Sequence, residues 1–439
     1  MKRALLCTWA SMMMLAAGAC ASTEDGPSAS PAPDGGPSTA PDWEPSDAST
    51  AVDADDASVV LPRCSPAGWC TTKLPVDDLV LKDVWPHAAR AFAVAESPTL
   101  GAKVLEWEQA SDEWKFIDDN TQNEDGLGNY VGKIWSPNDD EIYFAVAPAF
   151  IYRGTRQSSP GTGWSWSRER LPDQSHPGSP IHAYHDHGYP VYAALRSEYP
   201  AIGIWGTSAG DVYAWHGNAV FRLERTDAGP ATWSVDYVAG DHDSDEEELI
   251  FVSATGTGPD DLWFAGGRDL GFGFYACPIL VHKTAGGYQR IVDGVILFDP
   301  ENPCGERPGT TFVGGARGWL TDVQPTGAGG IVALKGGLDV VRIEPNGEGY
   351  SVTATTVPHK VPSKLGQDRG FFSRWSVGGD IWLSGWGLVV RSSDGESFTP
   401  STLSLNGGPI ALPFFQVRGT SGTNLWAIGA HHAFHKTTP

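Results

Sequence analysis

The sequence predicts an all-β protein, a seven-bladed β-propeller of four-stranded blades whose last blade is closed by an N-terminal strand. Three observations predict this fold. A turn motif flanked by β-type segments recurs seven times, further β-type runs follow the first six copies, and the last copy lacks a fourth strand that the start of the domain supplies. Repeats that each contribute four short strands are typical of propellers.

The recurring motif is a strand, a tight turn and a second strand that starts two residues before an aromatic anchor. The copies occupy residues 85–92, 135–143, 205–213, 255–263, 324–332, 375–382 and 418–426. The fifth copy is degenerate, and the first and sixth are one residue shorter than the others. The B-strand anchors are 51, 70, 50, 69, 50 and 44 residues apart, which fits four-stranded blades that carry two large insertions.

Each of the first six copies continues with a second apolar run and a turn into an aromatic residue, as in residues 220–223 followed by Trp233. Alternating apolar and polar residues bounded by Gly, Asn and Asp are signals of strands and hairpin turns. Each unit therefore contains four strands, named A to D in chain order.

The seventh copy ends after strands A, B and C, at residues 431–436. Residues 68–75 closely resemble the D strand of the second unit at residues 163–172, and they directly precede the first A strand. A strand from the opposite terminus would complete the last blade and remove an open edge that invites aggregation. We therefore expect residues 68–75 to pair with residues 433–436.

Tryptophan recurs at fixed positions of the repeat, which predicts packing between blades, with a carbohydrate-stacking platform as the alternative. Eleven of the 18 tryptophans occupy three such positions: Trp85, Trp135, Trp205 and Trp375 in A, Trp263, Trp382 and Trp426 in B, and Trp69, Trp114, Trp164 and Trp233 in D. Polar residues two places before the B anchor are interpreted as structural groups that bond turn amides: Glu141, Asp211, Asp261, Asp380 and Asn424.

The charge balance excludes one class of partner. The chain has 53 acidic and 30 basic residues, and its formal net charge is −23. Sequence-independent binding to DNA or RNA depends on neutralising phosphates with Lys and Arg. A nucleic-acid partner is therefore not expected.

The N-terminus predicts export. Residues 1–19 read as a lipoprotein signal peptide, and Cys20 follows small residues as in the bacterial lipobox, so we expect it to carry lipid. Ordinary cleavage of a secreted protein is the alternative. Residues 20–63 are rich in Pro, Ser and Asp and predict a disordered tether, and residues 64–439 form the propeller. No later apolar run reaches the ~20 residues of a membrane span.

The repeated Val/Ile-Trp-Gly-Thr-Ser pattern, behind a lipobox, a tether and Cys-x5-Cys ending in Gly-Trp-Cys, resembles the myxobacterial propeller lipoproteins with Val-Trp-Gly repeats. The resemblance covers residues 64–439 and implies the fold and an envelope location, without an activity. Residues 226–233 and 392–398 are similar to the Asp-box turn of sialidase-like propellers, although one is a residue long and the other a residue short. Ala21 resembles the sorting signal for the outer membrane.

Antiparallel strands divide the connections between two rims. B-to-C and D-to-A links share one, here called the loop-rich rim, and A-to-B and C-to-D turns share the other, the tight-turn rim. The long links all fall on the loop-rich rim: residues 119–130, 173–200, 239–249, 267–277, 293–317 and 356–371. Binding usually concentrates on such loops. The tether enters before a D strand, at the tight-turn rim, so we expect the loop-rich rim to face away from the membrane.

Four cysteines remain once Cys7 leaves with the leader and Cys20 takes lipid. An even number in an exported protein predicts disulfides. Cys277 and Cys304 share the loop-rich rim, and Cys64 and Cys70 are neighbours in sequence, so we expect these two pairings over the other two arrangements.

Two segments carry candidate metal ligands. Asp241, Asp243, Asp245 and Glu247 alternate along one acidic run and could supply the oxygen ligands of Ca²⁺, with a solvated acidic surface as the alternative. Residues 182–187 bring three histidines and Asp186 together, but their spacing does not match that of a metallohydrolase motif. Calcium is the cofactor expected if there is one.

We expect a non-enzymatic, monomeric display module that binds a protein or glycan at the loop-rich rim and meets the membrane through its lipid alone. The alternative is an extracellular polysaccharide hydrolase of propeller fold. It would need paired carboxylates or an activated nucleophile near the central channel, and neither these nor an arginine cluster is visible in the sequence. A purely structural envelope protein is the third interpretation.

Overall fold

The computed structural model describes residues 63–124, 130–147, 149–158, 163–171, 201–225, 231–241, 243–244, 247–270, 276–299, 302–315, 318–358, 370–405 and 410–438. Within them, seven four-stranded antiparallel sheets form a β-propeller, which confirms the predicted fold class. The signal peptide, Cys20, the tether up to residue 62 and the histidine segment 182–187 lie outside the described residues.

The first four blades follow the chain without interruption. Blade 1 contains β2 (Val80–Pro86), β3 (Arg90–Ser97), β4 (Gly101–Glu108) and β5 (Glu113–Phe116). Blade 2 contains β6 (Val131–Asn138), β7 (Glu141–Val146), β8 (Phe150–Arg156) and β9 (Trp164–Arg170). Blade 3 contains β10 (Ile202–Ser208), β11 (Asp211–His216), β12 (Ala219–Glu224) and β13 (Thr232–Val238). Blade 4 contains β14 (Glu248–Gly258), β15 (Asp261–Asp269), β16 (Ala276–Thr284) and β17 (Gly287–Val292).

A small hairpin of β18 (Gly294–Ile296) and β19 (Cys304–Glu306) follows blade 4. Blade 5 contains β20 (Leu320–Pro325), β21 (Ile331–Lys335), β22 (Asp339–Asn346) and β23 (Gly349–Thr356). Blade 6 contains β24 (Ser373–Val377), β25 (Asp380–Ser384), β26 (Val389–Ser392) and β27 (Thr399–Pro400). Blade 7 contains β28 (Phe414–Ser421), β29 (Asn424–Gly429), β30 (His432–Lys436) and the N-terminal β1 (Trp69–Thr71).

The last blade closes as predicted. Strand β1 pairs antiparallel with β30, with Trp69 opposite Lys436 and Thr71 opposite Phe434. The backbone N–H of Thr72 continues the ladder to the carbonyl of Ala433 at 3.0 Å. Trp69 is fully buried and meets Trp382 of blade 6 edge to face at 5.9 Å. The chain thus joins its first and last described segments in one sheet.

The A strands of neighbouring blades contact each other in sequence around the ring, from β2 through β6, β10, β14, β20, β24 and β28 back to β2. Polar side chains on these inner strands link one blade to the next by accepting a backbone N–H from its A strand. Five such links occur among the described residues: Asp83 with Ile134 at 3.0 Å, Ser253 with Val323 at 3.2 Å, Asp322 with Arg374 at 3.3 Å, Gln324 with Ser376 at 2.5 Å, and Ser373 with Val417 at 3.2 Å. These hydrogen bonds offset the cost of placing polar groups on the inner strands.

The polar residues before the B anchors are structural, but their partners differ from the expected turn amides. The Thr207 and Thr257 hydroxyls donate to Asp211 and Asp261, both at 2.6 Å. The same acids also face a basic or histidine side chain on strand C, as His282 faces Asp261 at 2.9 Å. Side chains of strands A and C, which flank strand B on either side, therefore take the place of the expected turn amides.

Candidate functional site

The loop-rich rim is dominated by the insertion that follows blade 4. Its hairpin, β18 and β19, is tied to the blade by a disulfide between Cys277 on β16 and Cys304 on β19. The second disulfide joins Cys64 to Cys70 beside the closing strand. The structure therefore contains both of the disulfides that the sequence suggested, and the first of them restrains the largest described loop of this rim.

Large apolar side chains are exposed mainly on this insertion. Five such side chains are exposed in the part of the chain that the structure describes: Leu100, Val235, Leu297, Phe298 and Phe312. The last three belong to the insertion, and Phe298 is 75% exposed. Leu100 lies in a B-to-C turn of the same rim, whereas Val235 lies on an outer D strand. Exposed apolar groups gathered on one rim indicate an interaction surface.

A cavity of about 550 Å³ adjoins the insertion. Its walls include Tyr237 and Tyr288 from the outer strands of blades 3 and 4, and Arg290, Arg307 and Thr310. The two tyrosine rings stack with their centroids 4.6 Å apart. Tyrosine and arginine are the side chains that most often dominate binding energy at protein interfaces.

An arginine cluster that was not recognised in the sequence surrounds one buried carboxylate. Asp293, 1% exposed, bonds Arg268 and accepts from Arg290 at 2.8 Å, and it lies 3.1 Å from Nε of Arg307. Burial lowers the pKa of Arg268, but the bonds to Asp293 and Glu247 outweigh that effect and hold its pKa above the usual value. Because each guanidinium is paired with carboxylates, the cluster joins the insertion to blades 3 and 4.

Three of the four predicted calcium ligands face these arginines. Glu247 accepts from Arg268 at 2.7 Å, Asp241 bonds Arg290, and Asp243 bonds Arg307. Burial raises the pKa of Asp241, but hydrogen bonds from Arg290 more than offset this and lower it. Asp245 lies outside the described residues. A calcium ion would compete with guanidinium groups for the same oxygens.

No group of three or more His, Cys, Asp or Glu side chains that could hold a metal ion occurs among the residues that the structure describes. Calcium binding at the acidic run stays a prediction. A thermal shift in millimolar calcium that is lost in Asp243→Ala and in Asp245→Ala would support it, whereas an unchanged melting curve would count against it.

Two pairs of carboxylates bear on the hydrolase alternative. Asp83 and Asp322 lie on inner strands, where each accepts the backbone N–H of the next blade, and burial raises the pKa of Asp322. Glu248 pairs across the strands with Asp269, and burial together with that neighbour raises the pKa of Glu248 to about 8. Neither pair lines either of the cavities at the two rims.

The second cavity, of about 360 Å³, lies at the tight-turn rim, where the A strands end. Its walls include Trp85, Trp135, Trp375 and Arg418. The Arg418 guanidinium carbon lies 4.9 Å from the ring centroid of Trp85 and 5.1 Å from that of Trp375. The sequence carried a signal for this residue, because Arg418 stands where four of the seven repeats have tryptophan.

No protein-family model and no curated protein matches the chain. Solved propellers do resemble it. YCF48 from Cyanidioschyzon merolae is 14% identical with a TM-score of 0.50, and the match covers 85% of this chain and 99% of that one. YCF48 bound to D1 peptide is 12% identical with a TM-score of 0.52, covering 86% and 100%. The WD40 propeller domain of Doa1 is 10% identical with a TM-score of 0.50, covering 84% and 97%.

At these identities the likeness shows the fold alone. The helices in the described residues include none that is long and apolar enough to cross a membrane. The chain is accordingly a seven-bladed propeller whose two rims differ: one presents an arginine-braced insertion with exposed apolar groups, and the other a tryptophan-lined cavity.

Proposed function

We propose that this chain is a non-enzymatic, surface-anchored lipoprotein that binds a protein partner through the loop-rich rim of its propeller. The proposal places it among the outer-membrane propeller lipoproteins with Val-Trp-Gly repeats, with lipid on Cys20 and a tether over residues 20–63. The solved neighbours support a binding propeller in general terms, since one of them, YCF48, is bound to the D1 peptide. The chain acts as a monomer in this proposal.

One observation carries the choice of surface. Four of the five exposed large apolar side chains in the described residues lie on the loop-rich rim, and three of them belong to the single insertion held by Cys277–Cys304 and by the arginine cluster. A rigid loop loses little conformational entropy on binding, so its apolar contacts contribute more fully to affinity. The adjoining Tyr237 and Arg290 add side chains of the kind that anchor protein interfaces.

A protein partner is favoured over a glycan by the chemistry of the exposed groups. Phe298 and Leu297 offer apolar surface without a hydrogen-bonding atom on the side chain, which suits the apolar centre of a protein interface. Sugar recognition depends on polar groups that satisfy many hydroxyls. The polysaccharide hydrolase has no specific observation in its favour.

Site-specific crosslinking on living cells tests the partner surface. A photoreactive residue at Gly305, beside the Leu297 side chain, should capture one protein, and Phe298→Asp together with Leu297→Asp should abolish the capture. Val235→Asp is the matched control, because Val235 is 45% exposed on an outer strand away from the rim. Equal capture by the rim variant and the control would refute the proposed surface.

Anchoring has a separate test. Metabolic labelling with palmitate should mark the wild-type chain and should disappear in Cys20→Ala. The protein should fractionate with the outer membrane in the wild type and appear in the medium in the variant. An unlabelled wild-type chain would make the protein a secreted propeller and would leave the partner surface unaffected.

A further inference from the structure

The cavity at the tight-turn rim lies at the opposite end of the channel from the proposed partner surface. We propose that it is a binding site for a peptide carboxylate and that Arg418 holds the carboxylate. The proposal goes beyond the partner-binding function above and does not depend on it.

The repeat is broken at Arg418. Cross-strand pairing identifies one equivalent residue on every A strand, the one opposite the B-strand anchor. These seven residues are Trp85, Trp135, Trp205, Thr255, Gln324, Trp375 and Arg418. Arg418 is the one cation among them, and it is only 9% exposed. A buried guanidinium is costly unless its donors are paired, so any donor of Arg418 that is left without a partner calls for a physical reason.

The guanidinium of Arg418 is paired on one side only. Nη1 of Arg418 donates to the carbonyl of Val84 at 3.1 Å and lies 3.4 Å from Oδ1 of Asp83. The buried Nε has no hydrogen-bond acceptor in the described part of the chain. All the polar contacts found there thus lie on the Nη1 side. The edge formed by Nε and Nη2 is the fork that binds a carboxylate with two parallel hydrogen bonds. Because Nε is covered in the unliganded chain, the proposal requires the Arg418 side chain to shift and uncover this edge when the carboxylate binds.

The side chains in the cavity wall act as hydrogen-bond donors, and none of those described here offers a free acceptor. Ser136 donates its hydroxyl to the carbonyl of Glu141 at 2.8 Å, so His87 must donate Nε2–H to the Ser136 oxygen at 2.9 Å. Burial lowers the pKa of His87, and this effect outweighs the nearby Asp139 carboxylate, which acts in the opposite direction. The indole N–H groups of Trp85 and Trp135, which line the cavity, donate no hydrogen bond within the described residues. An acceptor-rich ligand fits such a wall.

The aromatic arrangement favours a peptide over a sugar. Trp85 and Trp375 both lie against the guanidinium of Arg418, and Trp135 meets Trp85 edge to face at 6.4 Å. Arg418 therefore covers faces of two tryptophan rings that could otherwise stack on a sugar. The groups left to contact a ligand are the N–H donors at the edges of the rings. The volume of about 360 Å³ is within the range of small-ligand sites, roughly 300 to 1,000 Å³.

Isothermal titration of the full chain with three short peptides tests the proposal and identifies the source of the carboxylate. Acetyl-Gly-Gly-Gly has a free terminal carboxylate, acetyl-Gly-Glu-Gly-amide has a side-chain carboxylate, and acetyl-Gly-Gly-Gly-amide has neither. At least one acidic peptide should bind about tenfold or more tightly than the neutral one, because charge-assisted hydrogen bonds are lost with the carboxylate. Arg418→Lys, which keeps the charge and loses the fork, should weaken that binding about tenfold.

Arg391→Lys is the matched control. Arg391 also lies over a tryptophan, Trp382 at 5.5 Å, but it pairs with Asp380 outside the cavity, so its replacement should leave the affinity unchanged. Equal binding of acidic and neutral peptides, tighter binding of galacturonate than of both acidic peptides, or an unchanged affinity in Arg418→Lys would each overturn the proposal. If Arg418→Lys does not fold, the three peptides on the wild-type chain, with amide exchange at residues 85–87 and 418–420, decide the question.

Discussion

The closing strand makes a quantitative prediction about Trp69. This residue is fully buried, packs edge to face on Trp382, and donates its indole N–H to Ser401 at 2.9 Å. A tryptophan buries about 150 to 250 Å², which corresponds to roughly 4 to 6 kcal/mol at 25 cal/mol per Å². Relaxation around the new cavity recovers part of this, so we expect Trp69→Ala to lower the free energy of unfolding by about 4 kcal/mol.

The assay is denaturant unfolding followed by tryptophan fluorescence and circular dichroism, with Val235→Ala as the control. Val235 is 45% exposed on an outer strand, so its truncation should change the free energy of unfolding by less than about 0.5 kcal/mol. Amide exchange should locate the damage, with faster exchange in β1 and β30 before the rest of the ring. A variant as stable as the control, or one whose β30 amides stay protected, would refute the closure argument.

Three further predictions concern burial and the insertion. Burial lowers the pKa of His435 from 6.5 to about 4. Between these two pH values the His435 side chain is protonated in the unfolded chain but not in the folded one. The free energy of unfolding should therefore decrease from pH 6.5 to 4, and His435→Gln should remove about 3 kcal/mol of that decrease in urea titrations at both pH values. Arg268→Met should cost about 3 to 5 kcal/mol in denaturant unfolding, against less than about 1 for the exposed Arg391→Met. Replacing Cys277 and Cys304 together by Ala should destabilise the chain by about 3 kcal/mol and speed amide exchange in β18 and β19.

The ring itself could be predicted from the sequence because its cause is local. A turn between two β-type segments depends on residues within a short stretch, so the seven copies reveal the A and B strands wherever they occur, including the degenerate copy at residues 324–332. The closing strand was predictable for the same reason, since residues 68–75 carry the pattern of a D strand. Periodicity therefore fixes both the number of blades and the way they close.

The arginine cluster could not be found by the same means. Arg268 ends a B strand, Arg290 lies on a D strand, and Arg307 follows the small hairpin, so they converge only once the insertion has folded back over blade 4. Their common partner, Asp293, has no repeat equivalent to mark it. The sequence predicts a cation site at the acidic run before Glu248 because the arginines that pair with its carboxylates are distant in sequence and cannot be recognised as partners. The insertion brings together residues that are distant in sequence and that do not recur with the repeat, so periodicity could not predict their contact.

A residue that departs from the repeat is structural when a second change restores its interaction, and it is a candidate functional residue when no second change does so. In blade 1 the acid and base of the B and C strands are exchanged, with Arg90 on β3 and Glu106 on β4, and they still form an ion pair. Because both partners are exchanged, the ion pair between strands B and C is preserved, and the stability of the blade is enough to explain these two residues. Arg418 replaces a tryptophan without a matching change that satisfies its Nε, and it lines a cavity. An uncompensated departure leaves an unpaired buried donor, whose cost would be offset by a bound acceptor.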